Sequence, residues 1–253
     1  MPSKPIIVII PGAFHRPSHY NDVINPLQSR GYTVISIPLA VCGDDGVSPD
    51  ATPADDVKIL YAALLPLLDA GKEAVIVAHS YGSTPATAAI KSQTKAERRA
   101  RGLKGGIVGA IWIAGFSFPV PGKNIRGEDG DMPLRPNRVL EDGLVSVTEG
   151  AKAEFYNDVE PAKADAAFAS LCRFQSWRSM NTPPAFIEAE ITVPKWYILC
   201  EKDQTVLPAV QESMASVGKF DRVIRLASGH APFLSVPEEV VGVVEDFCRN
   251  VLE

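Results

Sequence analysis

Short apolar runs alternating with turns and helix-like stretches confine this chain to few folds. The runs are Ile6–Ile10, Thr33–Ile37, Ala74–Val77, Ile107–Ala114, Lys195–Cys200 and Arg222–Ala227. Ile6-Ile7-Val8-Ile9-Ile10 is apolar at every position. A strand that is apolar on both faces is covered on both faces, as in a parallel sheet flanked by helices. Between the runs lie helix signatures. Thr52 stands as an N-cap before Pro53 at the first helical position, and Gly71 stops a stretch that Pro66 should bend. Pro208 and Pro237 open two later helices in the same way. The pattern predicts an α/β fold with a doubly wound, mainly parallel sheet, and places ligands at the C-terminal ends of the strands.

One strand end carries chemistry. After Ala74–Val77 comes Ala78-His79-Ser80-Tyr81-Gly82, and then the small-residue helix Ser83–Ile90. A serine between a buried strand and a helix, with glycine two positions on, has the form of a nucleophile elbow. An ordinary strand–helix turn would use similar residues, so partners must decide. A serine hydroxyl needs a base, and the base needs an orienting group. Of the four histidines (His15, His19, His79 and His230), only His230 lies well after Ser80. It sits in the loop Ser228-Gly229-His230-Ala231-Pro232 behind the last apolar run. Two acids follow the preceding run, Glu201 and Asp203. Asp203 is the preferred acid because it lies in the turn, whereas Glu201 adjoins the strand; a simple turn former would also explain it. The order Ser80, Asp203, His230 is the one this fold type uses. For an oxyanion hole, Gly12 lets the loop Pro11–His15 approach a ligand closely. The N–H groups of Ala13 and Tyr81 are the two candidate donors.

With these motifs the chain resembles the α/β-hydrolase superfamily over nearly its whole length. Within it, the chain is similar to the plant methylesterase and hydroxynitrile lyase group and its fungal relatives. Pro11-Gly12-Ala13-Phe14-His15 is similar to that group's His-Gly-Ala-x-His loop. Cys200–Gln204 with Pro208 and Gln211 resembles its acid loop, and Gly229-His230 with Leu234 and Pro237 its histidine loop. Pro11 and Ala78 replace a usual histidine and glycine without removing a reacting group. The stretch Phe155–Asp158, with Gln175-Ser176, is similar to fungal members. The resemblance implies a catalytic triad of Ser80, Asp203 and His230 with oxyanion donors Ala13 and Tyr81.

The alternation fails between 116 and 193, which is rich in proline. A structureless loop of that length is uncommon in a compact domain. We therefore expect a core of 1–115 and 194–253 and an inserted, mostly helical cap over 116–193. Ala151–Met180 has helical composition, with Phe155, Phe168, Leu171, Phe174 and Trp177 at roughly helical spacing. Pro119–Pro136, rich in Gly, Pro and charge, reads as extended or mobile. Phe14, Phe116, Phe118, Trp177, Met180 and Phe233 are the candidates for an apolar substrate wall, although each could equally be packing.

The net charge of −5 argues against a nucleic-acid binder. The basic run Lys95–Arg101 reads as a solvated helix end. No apolar stretch reaches membrane-spanning length, and the start of the chain lacks the order of a cleaved signal peptide. The four cysteines are scattered, so a cytoplasmic location is expected. No His/Cys cluster has metal-ligand spacing, and no metal or cofactor is expected. The expected partner is a small-molecule substrate, and a homodimer is left open.

These readings favour hydrolysis of a small to medium, largely apolar carboxylic ester through an acyl-enzyme. A lyase, a specialised biosynthetic step on a hydrophobic metabolite, and a non-catalytic receptor of the same fold compete with it. The group's lyases carry a threonine in the first loop and a lysine after the catalytic histidine. Gly12 and Ala231 stand at those positions here, which favours the esterase.

Overall fold

A computed structural model describes residues 4–251. Its strands, in chain order, are β1 (Ile6–Ile10), β2 (Val34–Ser36), β3 (Cys42–Gly43), β4 (Glu73–His79), β5 (Gly106–Ile113), β6 (Arg138–Glu141), β7 (Leu144–Val147), β8 (Phe174–Ser176), β9 (Lys195–Cys200) and β10 (Arg222–Leu226). The helices are α1 (Asn21–Ser29), α2 (Pro53–Asp69), α3 (Ser83–Ile90), α4 (Lys95–Ala100), α5 (Gly150–Tyr156), α6 (Pro161–Ala169), α7 (Trp177–Asn181), α8 (Pro208–Val217), α9 (Pro232–Ser235) and α10 (Pro237–Asn250).

Six strands form one sheet in the order β10-β9-β5-β4-β1-β2, every pair parallel. The continuous apolar runs are explained by burial on both faces. In β1, Ile7 and Ile9 pack into one apolar cluster with α1 and α10. Ile6, Val8 and Ile10 pack into another with α2 and α3. β4 divides in the same way, Val75 and Val77 against Ala74, Ile76 and Ala78. The chain winds outward from β1 to β2, then returns to the far side of β1 at β4. The winding therefore reverses between β1 and β4, where such sheets open a crevice. The Gly12 and Ser80 loops leave the sheet there.

Helix starts follow the sequence signals. Thr52 caps α2 in a box with Asp55, whose carboxylate accepts the Thr52 N–H at 2.9 Å, and Gly71 leaves the helix end at φ 86°. The basic run forms α4, but Arg98 within it is not solvated. It is buried, binding Asp69 at 2.5 Å, Gln93 Oε1 and the Lys104 carbonyl.

The stretch expected as a cap lies between β5 and β9 and differs from the expected pattern in two respects. Besides α5, α6 and α7 it holds three short strands, which with β3 make a four-stranded antiparallel sheet ordered β3-β8-β7-β6. Its hairpin turns at Asp142-Gly143, with φ 48° and 77°, the geometry that Asp-Gly supports. The aromatic spacing over Ala151–Met180 is not one helical stripe. Pro161 starts a new helix under a Glu160 cap, and Phe174 lies in β8. No regular element occurs between Pro119 and Pro136. Among the described residues, no helix is long and apolar enough to cross a membrane.

Candidate active site

Ser80 follows β4 in a tight 3-10 turn and has φ 49°. A non-glycine residue is rarely held left-handed, and such strain collects at functional positions. Close packing forces the geometry. A Cβ on Gly82 would lie 2.4 Å from the Pro11 carbonyl oxygen, and one on Gly12 would lie 2.6 Å from His79 Nδ1. Only glycine lets the two loops come this close.

Asp203 and His230 are brought into contact by the ends of β9 and β10. His230 Nδ1 lies 2.7 Å from Asp203 Oδ2, and both side chains are buried. Facing a carboxylate, Nδ1 carries the proton, which leaves Nε2 free to act as a base. The carboxylate is itself fixed. Oδ1 accepts the N–H groups of Thr205 at 2.7 Å and Val206 at 2.8 Å. Oδ2 also accepts Gln211 Nε2 at 3.0 Å. Glu201, the competing acid, is exposed and faces Arg225 at 3.8 Å. No hydrogen bond joins Ser80 Oγ to His230 among the described residues; catalytic hydrogen bonds are often loose before substrate binds.

His79 links the two sides. Its Nε2 donates to the His230 carbonyl at 2.9 Å, and its Nδ1 accepts from Tyr20 Oη at 2.8 Å. Tyr20 Oη in turn accepts the Gly12 N–H at 3.0 Å. Burial first, then the neighbouring His230 and His15 rings, hold His79 well below the usual histidine range. It is thus neutral where it bridges the Gly12 loop, through Tyr20, and the His230 backbone. All four histidines lie in one row, with His19–His15, His15–His79 and His79–His230 centroids 5.0, 5.5 and 4.7 Å apart. Tyr20, His79 and their neighbours had no role in the sequence reading; a bond between residues 59 apart leaves no local signature.

The oxyanion candidates can be tested by accounting for every donor in the first loop. Pro11 has none. Gly12 N–H goes to Tyr20, Phe14 N–H to Gln175 Oε1 at 3.2 Å and His15 N–H to the Gly12 carbonyl at 3.1 Å. Ala13 N–H has no partner among the described residues, and neither has Tyr81 N–H. The Tyr81 side chain is anchored, its Oη donating to Asp56 Oδ2 at 2.9 Å. Asp56 also accepts the N–H groups of Ala40 at 2.7 Å and Val41 at 3.2 Å.

Burial raises the Asp56 carboxyl from 3.8 to about 6. A carboxyl raised on folding binds its proton more tightly in the native state. Its favourable contribution is complete below about pH 4 and is lost as pH rises towards 6. Two units correspond to about 3 kcal/mol. Asp56→Asn should therefore remove about that much of the fall in stability over this window, read by urea unfolding across pH. A profile parallel to wild type would contradict the assignment.

The predicted wall residues fall into two groups. Phe14 and Phe233 are buried in the first apolar cluster, with Trp177 and Met180 partly buried against it. Phe233 packs on Tyr20 at 4.2 Å and His79 at 4.9 Å. Phe116 packs against the second cluster, and Phe118 is buried. Ala13 touches both clusters. The inserted segment binds the loops that carry Asp203 and His230. Thr205 Oγ1 donates to the Glu154 carbonyl at 2.9 Å, Asn157 Nδ2 to the Lys202 carbonyl at 3.0 Å, and Gly229 N–H to Asp158 at 2.6 Å. Ser80 keeps only 5% of its exposure and His230 2%. A hollow of about 320 Å³ lies beyond the first loop, lined by residues including His15, Arg16, Leu39, Cys42 and Cys172, and does not touch Ser80 or His230. Among the described residues, no group of three or more His, Cys, Asp or Glu could hold a metal.

The alpha/beta hydrolase family model matches residues 7–243. An alpha/beta hydrolase, nvfD, of Aspergillus novofumigatus is 31% identical over 255 residues, spanning 99% of each chain. A pyrethroid hydrolase of Sphingobium wenxiniae is 26% identical, covering 95% of this chain and 86% of that protein. The crystal structure of polyneuridine aldehyde esterase superposes with a TM-score of 0.77 at 16% identity, over 97% of this chain and 99% of that one, a likeness of fold.

Proposed function

The chain belongs to the α/β-hydrolase family, and on that premise we propose that it cleaves a small to medium, largely apolar carboxylic ester through an acyl-enzyme on Ser80. The buried contact between His230 Nδ1 and Asp203 Oδ2 carries this reading, because it fixes the tautomer a general base needs. His230 Nε2 takes the Ser80 proton as Oγ attacks the ester carbonyl. Charge developing on the carbonyl oxygen is received by the unpartnered N–H groups of Ala13 and Tyr81. His230 then gives its proton to the departing alcohol, and a water repeats the sequence to release the acid. The start of α3 adds the positive end of its dipole beside the same anion.

A relative named as a pyrethroid hydrolase supports hydrolysis, and the fold is one that a protein named an esterase also has. Ala231, buried next to His230, brings no cation of the kind expected to receive a leaving cyanide. The burial of Ser80, with apolar clusters packed on both sides of Ala13, favours compact apolar esters over peptides or polysaccharides.

The 116–193 segment acts as a lid and sets substrate choice. A panel of p-nitrophenyl esters of rising chain length tests this together with Trp177→Ala. Trp177 is partly buried against the cluster that holds Phe14. The variant should change the kcat/KM ratio of long to short esters by about tenfold while the melting temperature moves little. An unchanged ranking with a large fall in melting temperature would make Trp177 a packing residue. No turnover of any ester by the wild-type chain would contradict the esterase reading.

A further inference from the structure

The lid grips the oxyanion loop at consecutive residues. Gln175 Oε1, from β8, accepts the Phe14 N–H at 3.2 Å. The Phe14 carbonyl accepts the Cys172 N–H at 2.7 Å. Tyr156 Oη, at the end of α5, donates to His15 Nε2 at 3.0 Å, and His15 Nδ1 donates back to the Ala13 carbonyl at 2.8 Å. The Ala13–Phe14 peptide is thus held at both of its polar ends, its N–H by Gln175 and its C=O through His15 by Tyr156.

The lid groups are themselves rigid. Gln175 is fully buried, its strand pairs with Cys42 and Val145, and its Nε2 donates to Ser179 Oγ at 3.3 Å. His15 is buried, and its pKa lies well below the usual histidine range through burial and its neighbour His19. It therefore stays neutral and keeps one tautomer, an acceptor towards Tyr156 and a donor towards Ala13. Phe14 is left-handed at φ 63°. For a bulky residue that conformation is strained and persists only where the surroundings impose it. Here the loop's own turn, closed by His15 N–H on the Gly12 carbonyl at 3.1 Å, and the contacts from Gln175, Cys172 and Tyr156 hold it together. Rotating the Ala13–Phe14 peptide would swing the adjoining Ala13 N–H, the donor aimed at the developing oxyanion.

We propose that Gln175 and Tyr156 are positioning residues of the oxyanion hole, so that the anion site is complete only when the lid is docked. This rests on the serine-hydrolase reading above. It makes lid closure a condition of turnover as well as of substrate choice. A substrate too long to be covered would bind without meeting a well-aimed Ala13 N–H.

The test uses Gln175→Met, which keeps length but removes the acceptor, and Tyr156→Phe, which removes one hydroxyl. Active chains are counted by fluorophosphonate titration. For each variant, kcat and KM on p-nitrophenyl butyrate are compared with inhibition by a trifluoromethyl ketone, to which Ser80 adds to form a tetrahedral oxyanion. Inhibition by a neutral alcohol of the same chain length serves as the ground-state measure. Each variant should lose about 10- to 100-fold in kcat per titrated site, with KM within about threefold. Affinity for the trifluoromethyl ketone should fall by the same factor, and affinity for the alcohol should hold. Because both residues act on one peptide, the double variant should lose little more than the worse single one. A kcat per site within about twofold of wild type in both variants, a change confined to KM, or equal weakening of alcohol and ketone would overturn the proposal. Should Gln175→Met not fold, Tyr156→Phe alone decides between the same outcomes. Failure of the hydrolase reading itself would show separately, as undiminished turnover in Ser80→Ala.

Discussion

Ser80→Ala and His230→Ala should each lower ester turnover by roughly four to six orders of magnitude, and the double variant should be no worse than either alone. The non-additivity is the informative part. A nucleophile and its base act as one unit, so once either is gone the other has nothing left to contribute. Oxyanion donors and substrate binding remain and supply the residual rate. The two variants should differ in stability. The Ser80 side chain is small, and its loss empties little space. The His230 ring is buried against His79 at 4.7 Å and Phe155 at 6.1 Å, so its removal leaves a cavity. A cost of about 2 kcal/mol, a few degrees of melting temperature, is expected for His230→Ala. Assays well below that temperature separate the chemical loss from the structural one. Near-wild-type turnover in either variant would remove that residue from the mechanism.

Asp203→Asn should cost about 10⁴-fold in kcat, the size of effect seen when the orienting acid of a serine triad is made neutral. Asp203 accepts Thr205 N–H, Val206 N–H, Gln211 Nε2 and His230 Nδ1. An asparagine can satisfy the first two with its carbonyl oxygen. Its amide then points N–H donors at His230 Nδ1, which must surrender its proton to accept one. The imidazole is driven into the tautomer that cannot deprotonate Ser80, and the imidazolium formed during attack loses its counter-charge. Glu201→Gln should stay within about twofold of wild type, since Glu201 is exposed beside Arg225 and exposed pairs contribute little. The opposite pattern would transfer the acid role to Glu201. Losses in neither variant would turn attention to Glu128, Asp129 and Asp131, which are exposed in the structure.

Much of this site can be read from sequence because buried parallel strands leave a plain trace. Ile6–Ile10 and Ala74–Val77 are apolar throughout, and the reacting groups follow such runs at the ends that parallel strands align. Position within the turn separated Asp203 from Glu201, and the structure buries the first and exposes the second. The 116–193 segment was less legible for two reasons. Its Asp142-Gly143 hairpin carries a recognisable turn, but Arg138–Glu141 begins and ends in charge and leaves Val139 and Leu140 exposed, so no buried alternation marks a strand. The aromatic spacing over Ala151–Met180 imitates a helix, while Pro161 and the pairing of Phe174 with Gly43 divide it. The grip of Gln175 on Phe14 spans 161 residues and that of Tyr156 on His15 spans 141. Contacts of that range are set by packing, and no local pattern announces them.

On the proposed mechanism Ser80 passes through a covalent ester. Mixing the chain with excess p-nitrophenyl butyrate, quenching in acid within the first turnover and weighing the intact protein tests it most directly. The account predicts one added butyryl group per chain, located on the peptide that contains Ser80 and matched by a burst of one p-nitrophenol. It also predicts that the adduct is absent from Ser80→Ala and accumulates only very slowly in His230→Ala. Steady turnover with no acyl adduct at any quench time, or an adduct on another residue that forms equally in Ser80→Ala, would contradict it.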